Sequence, residues 1–199
     1  MHRPVTGDPG CVVLVQMAGF PGSGKSTIAR ALAQRIDGIV VDIDAIKSAL
    51  LGAGIDFDLA GAAAYEVSRA VARELLGQAR SAILDSPCYF EEIIERGRAL
   101  AAEHGVPYCF VECALDDVGE LRRRLRSRTA RPSQRTDIEL PPPGAPPVKA
   151  SAESVLEEWA ARARRPREAA RLLDTSRPLD RCVDEALRYV RERCRAGSD

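Results

Sequence analysis

Residues 19–26 read Gly-Phe-Pro-Gly-Ser-Gly-Lys-Ser and match the pattern G-x-x-x-x-G-K-[ST] at every required position. The pattern indicates a phosphate-binding loop only when a strand precedes it and a helix follows. Residues 12–18, interpreted as a continuous apolar run, predict a strand buried on both faces. Residues 26–36 carry apolar side chains at helical spacing. Motif and context therefore agree.

This loop predicts a nucleotide site because its glycines allow backbone N–H groups to surround an anion at the start of a helix. Lys25 is expected to reach the β- and γ-phosphates, Ser26 to bind Mg²⁺ through its hydroxyl, and Thr27 to contact the α-phosphate. The residues predicted to bind the nucleotide here are Gly19, Pro21, Gly22, Ser23, Gly24, Lys25, Ser26 and Thr27.

Predicted strands and helices alternate along the chain, which is typical of an α/β fold with a parallel sheet covered on both faces. Strands are expected at 12–18, 39–43, 81–84, 106–111 and 171–173, and helices at 26–36, 44–51, 59–80, 91–104, 116–128, 151–164 and 179–195. The pattern predicts a loose tail at 1–10 and a single domain at 11–199. Residues 141–147 (PPPGAPP) exclude regular structure, so residues 129–150 are interpreted as a lid or its hinge.

The overall composition is that of an ordinary globular protein. The 29 basic and 29 acidic residues cancel, which argues against binding long nucleic acids by charge. No apolar run has the roughly 18 residues that a membrane span needs. The six cysteines form no C-x-x-C pair, so we predict a cytoplasmic protein with reduced cysteines.

Two carboxylates follow the second predicted strand, at the sheet edge where the phosphate loop also lies. Asp44 either caps the next helix or accepts the proton of an attacking hydroxyl. Asp42 is a second candidate for magnesium, acceptor or base chemistry. The residues alone leave these alternatives open.

The phosphate loop followed by Asp44-x-x-Lys47 resembles the phage-type polynucleotide kinases and their relatives chloramphenicol phosphotransferase, gluconate kinase and the zeta toxins. The resemblance implies a three-layer P-loop NTPase fold with a five-stranded parallel sheet in the order 2-3-1-4-5 and an arginine-rich helical lid. It implies ATP and Mg²⁺ as cofactors, Asp44 as the base and Lys47 as an acceptor-side cation. The polynucleotide kinases have arginine at the last position, and lysine lacks the bidentate fork that binds phosphate.

The resemblance also assigns roles to residues further along the chain. Asp85 matches the family position that orients a magnesium-bound water or the acceptor, and Tyr89 is a candidate for the acceptor pocket. Guanidinium groups stabilise the charge of a loose phosphoryl transition state. Within the arginine-rich run 122–135 we predict catalytic roles for Arg124 and Arg128 and lid roles for Arg131, also a nucleotide contact, and Arg135. Arg177, after the closing Asp-Thr-Ser element, is a candidate for contacting the adenine base.

Three functions fit these observations. The first is an ATP- and Mg²⁺-dependent kinase that phosphorylates a hydroxyl of a metabolite or antibiotic, acting as a monomer or homodimer. The second is a polynucleotide 5′-hydroxyl kinase, which the neutral charge and Lys47 disfavour. The third is a switch-type ATPase without an acceptor; the carboxylate facing the loop argues against it. No guanine-reading N/T-K-x-D segment is present.

Overall fold

The computed structural model describes residues 11–147, 150–166 and 170–196, and the predicted tail at 1–10 lies outside them. The strands are β1 (Leu14–Ala18), β2 (Ile39–Asp42), β3 (Ala82–Asp85), β4 (Tyr108–Ala114) and β5 (Ala170–Asp174). The helices are α1 (Lys25–Ile36), α2 (Ile43–Gly52), α3 (Phe57–Gly77), α4 (Glu91–Glu103), α5 (Val118–Ser127), α6 (Ala152–Arg162) and α7 (Leu179–Ala196).

The five strands form one parallel sheet in the order β2-β3-β1-β4-β5. The predicted α/β fold and strand order are confirmed. β1 lies at the centre, so the loop that follows it opens at the carboxyl edge of the sheet between β3 and β4. Ligands bind in such a crevice in open α/β sheets.

Each face of the sheet has its own apolar core, because side chains alternate along β1. Val13, Val15 and Met17 pack toward α1 and α7. Leu14 packs toward α3 and α4. The central strand is therefore buried on both sides, as its apolar residues predict.

Gln16 interrupts the apolar pattern of β1. The prediction of a continuous apolar run at 12–18 is wrong at this position, because the fully buried Gln16 points to the face shared with Leu14. Its amide nitrogen donates to the Met17 carbonyl oxygen and to Ser86 Oγ, each at 2.9 Å. These two hydrogen bonds from the amide nitrogen offset part of the free-energy cost of burying the side chain.

The buried face of α3 consists mainly of small residues. They contact the sheet at four-residue intervals, whereas the larger Val67 and Val71 are 41% and 40% exposed. The buried positions are Ala60, Ala64, Ser68, Ala72 and Leu76. A line of small side chains allows the helix backbone to lie close to the sheet, an outcome that depends on tertiary packing.

Cys11 and Cys194 form a disulfide that joins the chain before β1 to the last turn of α7. The prediction that all cysteines are reduced is wrong for this pair, which are 183 residues apart in sequence. Spacing alone does not reveal such a pairing. Cys88, Cys109, Cys113 and Cys182 are free and buried. In the described part of the chain, no helix has the length and apolarity to cross a membrane.

Candidate active site

The phosphate loop adopts backbone angles that favour glycine. Gly19, Gly22 and Gly24 have φ values of 131°, 86° and 91°, a region that residues with a Cβ rarely adopt. A Cβ at Gly19 would collide with the carbonyl oxygen of Cys113 in β4. The loop therefore wraps closely against the sheet, with the N-terminus of α1 open toward the cleft.

Asp85 lies at the end of β3, close to Lys25 and Ser26. It is 3% exposed, and among the described residues neither of its carboxylate oxygens has a hydrogen-bond partner. Burial raises the pKa of Asp85, while the positive charge of Lys25 and the Ser26 hydroxyl act in the opposite direction. A buried, unpaired carboxylate beside a hydroxyl is a donor set that suits a hydrated magnesium ion.

Asp42, not Asp44, caps the helix that follows β2. Asp42 Oδ1 accepts hydrogen bonds from the backbone N–H groups of Asp44 and Ala45, at 3.0 and 3.2 Å. The alternative in which Asp44 caps this helix is wrong, because β2 ends one residue earlier than the predicted strand and α2 already begins at Ile43. Capping by Asp42 leaves the Asp44 side chain in the first turn, facing the cleft.

Arg124 and Arg128, the two arginines with predicted catalytic roles, reach the cleft from the C-terminal end of α5. Arg124 donates to Glu120 Oε1 at 2.7 Å and to the Thr175 carbonyl oxygen at 2.9 Å. These bonds hold its guanidinium beside the loop, where a Cβ on Gly24 would lie 3.5 Å from Arg124 Nη1. Burial lowers the pKa of Arg128, whereas the Asp44 charge raises it. Among the described residues, Arg128 Nε has no hydrogen-bond partner.

Residues 128–147, here called the α5–α6 segment, cover the carboxylates. Arg131 Nη1 donates to Asp42 Oδ2 at 2.6 Å. Gln134 Nε2 donates to Asp44 Oδ2 at 2.8 Å, and Ser133 Oγ donates to the Asp44 carbonyl oxygen at 3.1 Å. The segment has no regular helix or strand in its described residues. Its position thus depends on these hydrogen bonds, on the ion pairs of Asp137 with Arg122 and Arg126, and on the packing of buried Ile138.

The wall opposite the phosphate loop is aromatic and cationic. The Lys47 ammonium lies 3.4 Å from the centroid of the Phe57 ring, a favourable cation–π geometry. Burial lowers the pKa of Lys47, and the charges of Asp44, Asp58 and Asp56 oppose this shift. On the other side, the Arg162 guanidinium lies 5.8 Å from the ring centroid of Tyr89. Such a wall suits a planar or hydroxylated small molecule.

These parts line one cleft of about 970 Å³. The phosphate loop forms its floor, the first turns of α2 and α3 form one wall, and α6 forms the other. The α5–α6 segment lies across its top. The volume lies within the range of small-molecule sites in proteins.

A family model for the AAA domain matches residues 14–140, which is more than half of the chain. The chain belongs to the AAA domain family. A search of curated protein sequences returned no match.

Solved structures with the same fold cover nearly the whole of this AAA domain protein. A Chloroflexus aurantiacus protein has a TM-score of 0.68 and 22% identity over 96% of this chain and 100% of its own. The Mycobacterium tuberculosis APS kinase in complex with AMPPNP and APS has a TM-score of 0.63 and 17% identity over 92% and 99%. A gluconokinase from Sinorhizobium meliloti has a TM-score of 0.59 and 19% identity over 94% and 95%. At these identities the likenesses establish the fold.

The AAA domain brings most of the sequence-predicted residues into the cleft. The predicted residues that line it are Pro21, Gly22, Gly24, Lys25, Ser26, Thr27, Asp44, Lys47, Tyr89, Arg124, Arg128, Arg131 and Arg135. Gly19 and the buried Ser23 do not line it. Asp85 lies buried beneath Ser26. Asp42 does not line the cleft, because it caps α2 and pairs with Arg131 and Arg30. Arg177 also lies outside it and forms an ion pair with Glu185 at 2.9 Å.

Sequence reasoning missed several residues of the cleft. Ser133 and Gln134 contact Asp44 from 89 and 90 positions further along the chain. Arg162 and Trp159 arrive on α6, and the Trp159 ring lies 5.6 Å from Phe20 of the phosphate loop. Neither pair carries a motif. Ser133 and Gln134 precede the proline-rich stretch 141–147 and Trp159 and Arg162 follow it, so no shared sequence signal points to them.

Proposed function

We propose that this AAA domain protein is a kinase that transfers the γ-phosphoryl group of ATP to a hydroxyl group of a small molecule. The observation that carries the proposal is the placement of Asp44 and the phosphate loop in one cleft, with Arg124 and Arg128 beside them. A nucleotide-binding switch has no need of a carboxylate presented toward an acceptor space. A kinase needs one to orient and deprotonate the attacking hydroxyl.

The nucleotide half of the cleft fits ATP and magnesium. The glycine backbone and the start of α1 supply N–H groups for the phosphates, and Lys25 supplies a positive charge. Ser26 and the unpaired Asp85 carboxylate would hold Mg²⁺, Asp85 through water. Bound there, Mg²⁺·ATP supplies the electrophilic phosphorus and neutralises charge on the leaving phosphate. The likeness to an APS kinase that binds AMPPNP supports the same choice of nucleotide.

Asp44 is the proposed general base. Its Oδ2 accepts one hydrogen bond from Gln134, which fixes the carboxylate orientation and leaves lone pairs for the acceptor hydroxyl. Both proposed catalytic arginines line the cleft beside the phosphate loop, where their guanidinium groups would meet the phosphoryl oxygens of bound ATP. Because the α5–α6 segment holds Asp44 from above, we propose that this segment is the lid of the kinase.

The acceptor half favours a small molecule over a polynucleotide. Phe57, Tyr65 and Tyr89 surround the space next to Asp44, with Lys47 and Arg162 as the cations of this wall. Burial raises the pKa of both tyrosines, so their hydroxyls stay protonated at neutral pH and can donate hydrogen bonds. A sugar, a nucleoside-like metabolite or a hydroxylated antibiotic matches these groups. The neutral overall charge disfavours a long nucleic acid.

A transfer screen tests the proposal. The full chain is incubated with Mg²⁺ and ATP labelled at the γ-phosphate, together with sugars, nucleosides, hydroxylated antibiotics and 5′-hydroxyl oligonucleotides. The matched variants are Asp44→Asn, which keeps shape and hydrogen bonding, and Lys25→Met. We expect label in one small-molecule class, a decrease of about 100-fold or more in turnover for Asp44→Asn, and ATP affinity within a few-fold of wild type.

Each outcome of the screen distinguishes the alternatives. Label in oligonucleotides would replace the proposal with the polynucleotide kinase. Label that reaches only inorganic phosphate, at one rate with every compound and unchanged in Asp44→Asn, would favour the switch-type ATPase. Full transfer by Asp44→Asn would remove Asp44 from the role of base. Lys25→Met is expected to lose both nucleotide binding and turnover in every case.

A further inference from the structure

Aromatic side chains are concentrated in the cleft that holds Asp44 and the phosphate loop. The chain has four phenylalanines, four tyrosines and one tryptophan, and more than half of these nine residues line this one cleft. They are Phe57, Tyr65, Tyr89, Phe90 and Trp159. Aromatic rings give binding sites large apolar contact area with a specific geometry, so their concentration here bears on the ligand.

Three of these rings lie on the acceptor side of the cleft, around the proposed base. Burial raises the pKa of Tyr65 and Tyr89, and the negative charge of Asp44 adds to the shift in both, so both rings lie near this carboxylate. Phe57 lies beneath the ammonium of Lys47, which is itself within range of the Asp44 charge. The space that an acceptor would occupy beside Asp44 is therefore bordered by aromatic rings.

The rings on the acceptor side do not pack on one another. Among the described residues, the close ring pair is that of Phe20 and Trp159, with centroids 5.6 Å apart. Tyr89 and Phe90 are instead held by the Arg162 guanidinium, which lies 5.8 and 5.6 Å from their centroids. Ring surface in this half of the cleft is thus not used up by contacts between the rings, and a flat ligand can pack against it.

The acceptor half is poorer in hydrogen-bond donors than in rings. Three prolines, which have no N–H group, contribute to its roof: Pro141, Pro142 and Pro146. Arg135 donates to the carbonyl oxygens of Ile138 and Leu140, at 2.9 and 3.3 Å, and Arg162 donates to Glu158 at 2.9 Å. A polyol buried here would leave some of its many hydroxyls unpaired, which costs free energy.

We propose that the acceptor is an alcohol that carries an aromatic ring, with the ring packed among Phe57, Tyr65 and Tyr89 and the hydroxyl directed to Asp44. This inference rests on the proposed kinase function. It narrows the acceptor from hydroxylated small molecules in general to one chemical class, and it places polyols and purely aliphatic alcohols outside that class.

Two alcohols of similar size test the ring by binding alone. Benzyl alcohol and cyclohexylmethanol both carry a CH₂OH group on a six-membered ring, and the saturated ring is the more apolar, so apolar burial by itself favours cyclohexylmethanol. Each is titrated into the full chain labelled with ¹⁵N, in the presence of Mg²⁺ and AMPPNP to occupy the nucleotide half, and again without them. Affinity is read from the indole N–H signal of Trp159, the only tryptophan, and from amide signals of residues 57–65. We expect benzyl alcohol to bind about 2- to 10-fold more tightly.

Matched double variants locate the preference. Tyr65→Leu/Tyr89→Leu replaces two rings with apolar side chains and should abolish the preference for benzyl alcohol. Tyr65→Phe/Tyr89→Phe keeps both rings and should keep the preference, even where loss of the hydroxyls weakens binding of both alcohols. myo-Inositol represents the polyols and should bind at least about 10-fold more weakly than benzyl alcohol to wild type.

The inference fails if neither alcohol binds, if cyclohexylmethanol binds as tightly as benzyl alcohol, if myo-inositol binds more tightly than both, or if the leucine variant keeps the preference. Where the leucine variant does not fold, the wild-type affinities decide. Failure of the kinase function gives a different result: no label reaches any acceptor in the transfer screen, while the preference for benzyl alcohol persists. Transfer of label to a sugar and to no ring-bearing alcohol would support the kinase and reject the aromatic acceptor.

Discussion

Asp85 is a residue whose position opposes stability. Its carboxylate is buried at the end of β3, and neither oxygen has a hydrogen-bond partner among the described residues. Unpaired buried charge destabilises a fold and persists where a function requires it. The proposed magnesium role supplies that function, because the ion and its waters would give Asp85 the partners that the chain does not.

Asp85→Asn is expected to stabilise the nucleotide-free protein and to impair transfer. Burial raises the pKa of Asp85 above its ordinary value of 3.8. As the pH rises above this ordinary value, the carboxyl ionises in the unfolded state while it stays protonated in the folded state. The wild type therefore loses stability with rising pH until the pH exceeds the raised pKa of the folded state. At pH 7 the melting temperature of the variant should therefore exceed that of wild type by about 2–4 °C or more. Near pH 3 the two proteins should melt at nearly the same temperature. Thermal melts at both pH values check this; an equal or lower melting temperature at pH 7 would contradict it.

Asp42 and Asp44 are two residues apart and have separable roles. Asp42→Ala removes the cap of α2 together with the ion pair to Arg131, and should lower the free energy of unfolding by about 1 kcal/mol or more. Asp44→Ala removes no cap, so its stability should stay near that of wild type while turnover falls about 100-fold or more. Denaturant unfolding and transfer assays on both variants check the contrast. A larger turnover loss for Asp42→Ala would reverse the assignment of the base.

At the scale of elements, side-chain contacts and not regular structure fix the position of the α5–α6 segment. It has no regular structure in the described residues, yet Ser133 and Gln134 hold it onto Asp44, and Ile138 is fully buried under α6. Next to Ile138, Asp137 forms ion pairs with Arg122 and Arg126 of α5. Hydrogen bonds over the carboxylate and a firm attachment to α5 suit an element that opens for substrate and closes for transfer.

Removing the polar anchors should loosen this segment and slow the reaction. In Ser133→Ala/Gln134→Ala the apolar packing of Ile138 remains, so we expect ATP affinity within a few-fold of wild type. We expect turnover to fall about 10-fold, because Asp44 loses the groups that orient it. Limited proteolysis should cut residues 128–147 faster than in wild type. Thr136→Ala, an exposed position of the same segment, serves as control, and equal proteolysis in both variants would contradict the role of the anchors.

At the scale of the whole molecule, the Cys11–Cys194 disulfide joins the beginning of the described chain to the last turn of α7. The bridge closes 183 residues, and cross-linking so long a loop removes much conformational entropy from the unfolded state. The effect belongs to the entire chain and not to either element that the bridge touches.

Reduction is expected to destabilise the protein by roughly 3–5 kcal/mol and lower the melting temperature by about 5–15 °C. Melts with and without dithiothreitol test this, and Cys11→Ser/Cys194→Ser should be insensitive to the reductant. Thiol titration of the denatured, non-reduced protein should find the four free cysteines. Six reactive thiols would show that the bridge does not form.

The sequence by itself determined the phosphate loop and the alternation of strands and helices, because both depend on local chemistry. The spacing of the glycines, the lysine after the last of them and the apolar periodicity are all readable within a few residues of one another. The family resemblance then supplied the strand order. The predicted alternation and the strand order, in which β3 and β4 flank β1, agree with the structure.

Only the tertiary structure decided which carboxylate caps α2, what covers Asp44 and which cysteines pair. Gln134 reaches Asp44 across 90 positions of sequence, and Cys194 reaches Cys11 across 183. Contacts of this kind arise when helices and segments distant in sequence pack on one sheet, and no short-range pattern encodes them. The same holds for the aromatic lining of the cleft, since Tyr65 of α3 and Trp159 of α6 read as ordinary packing residues until the fold brings them into one cleft.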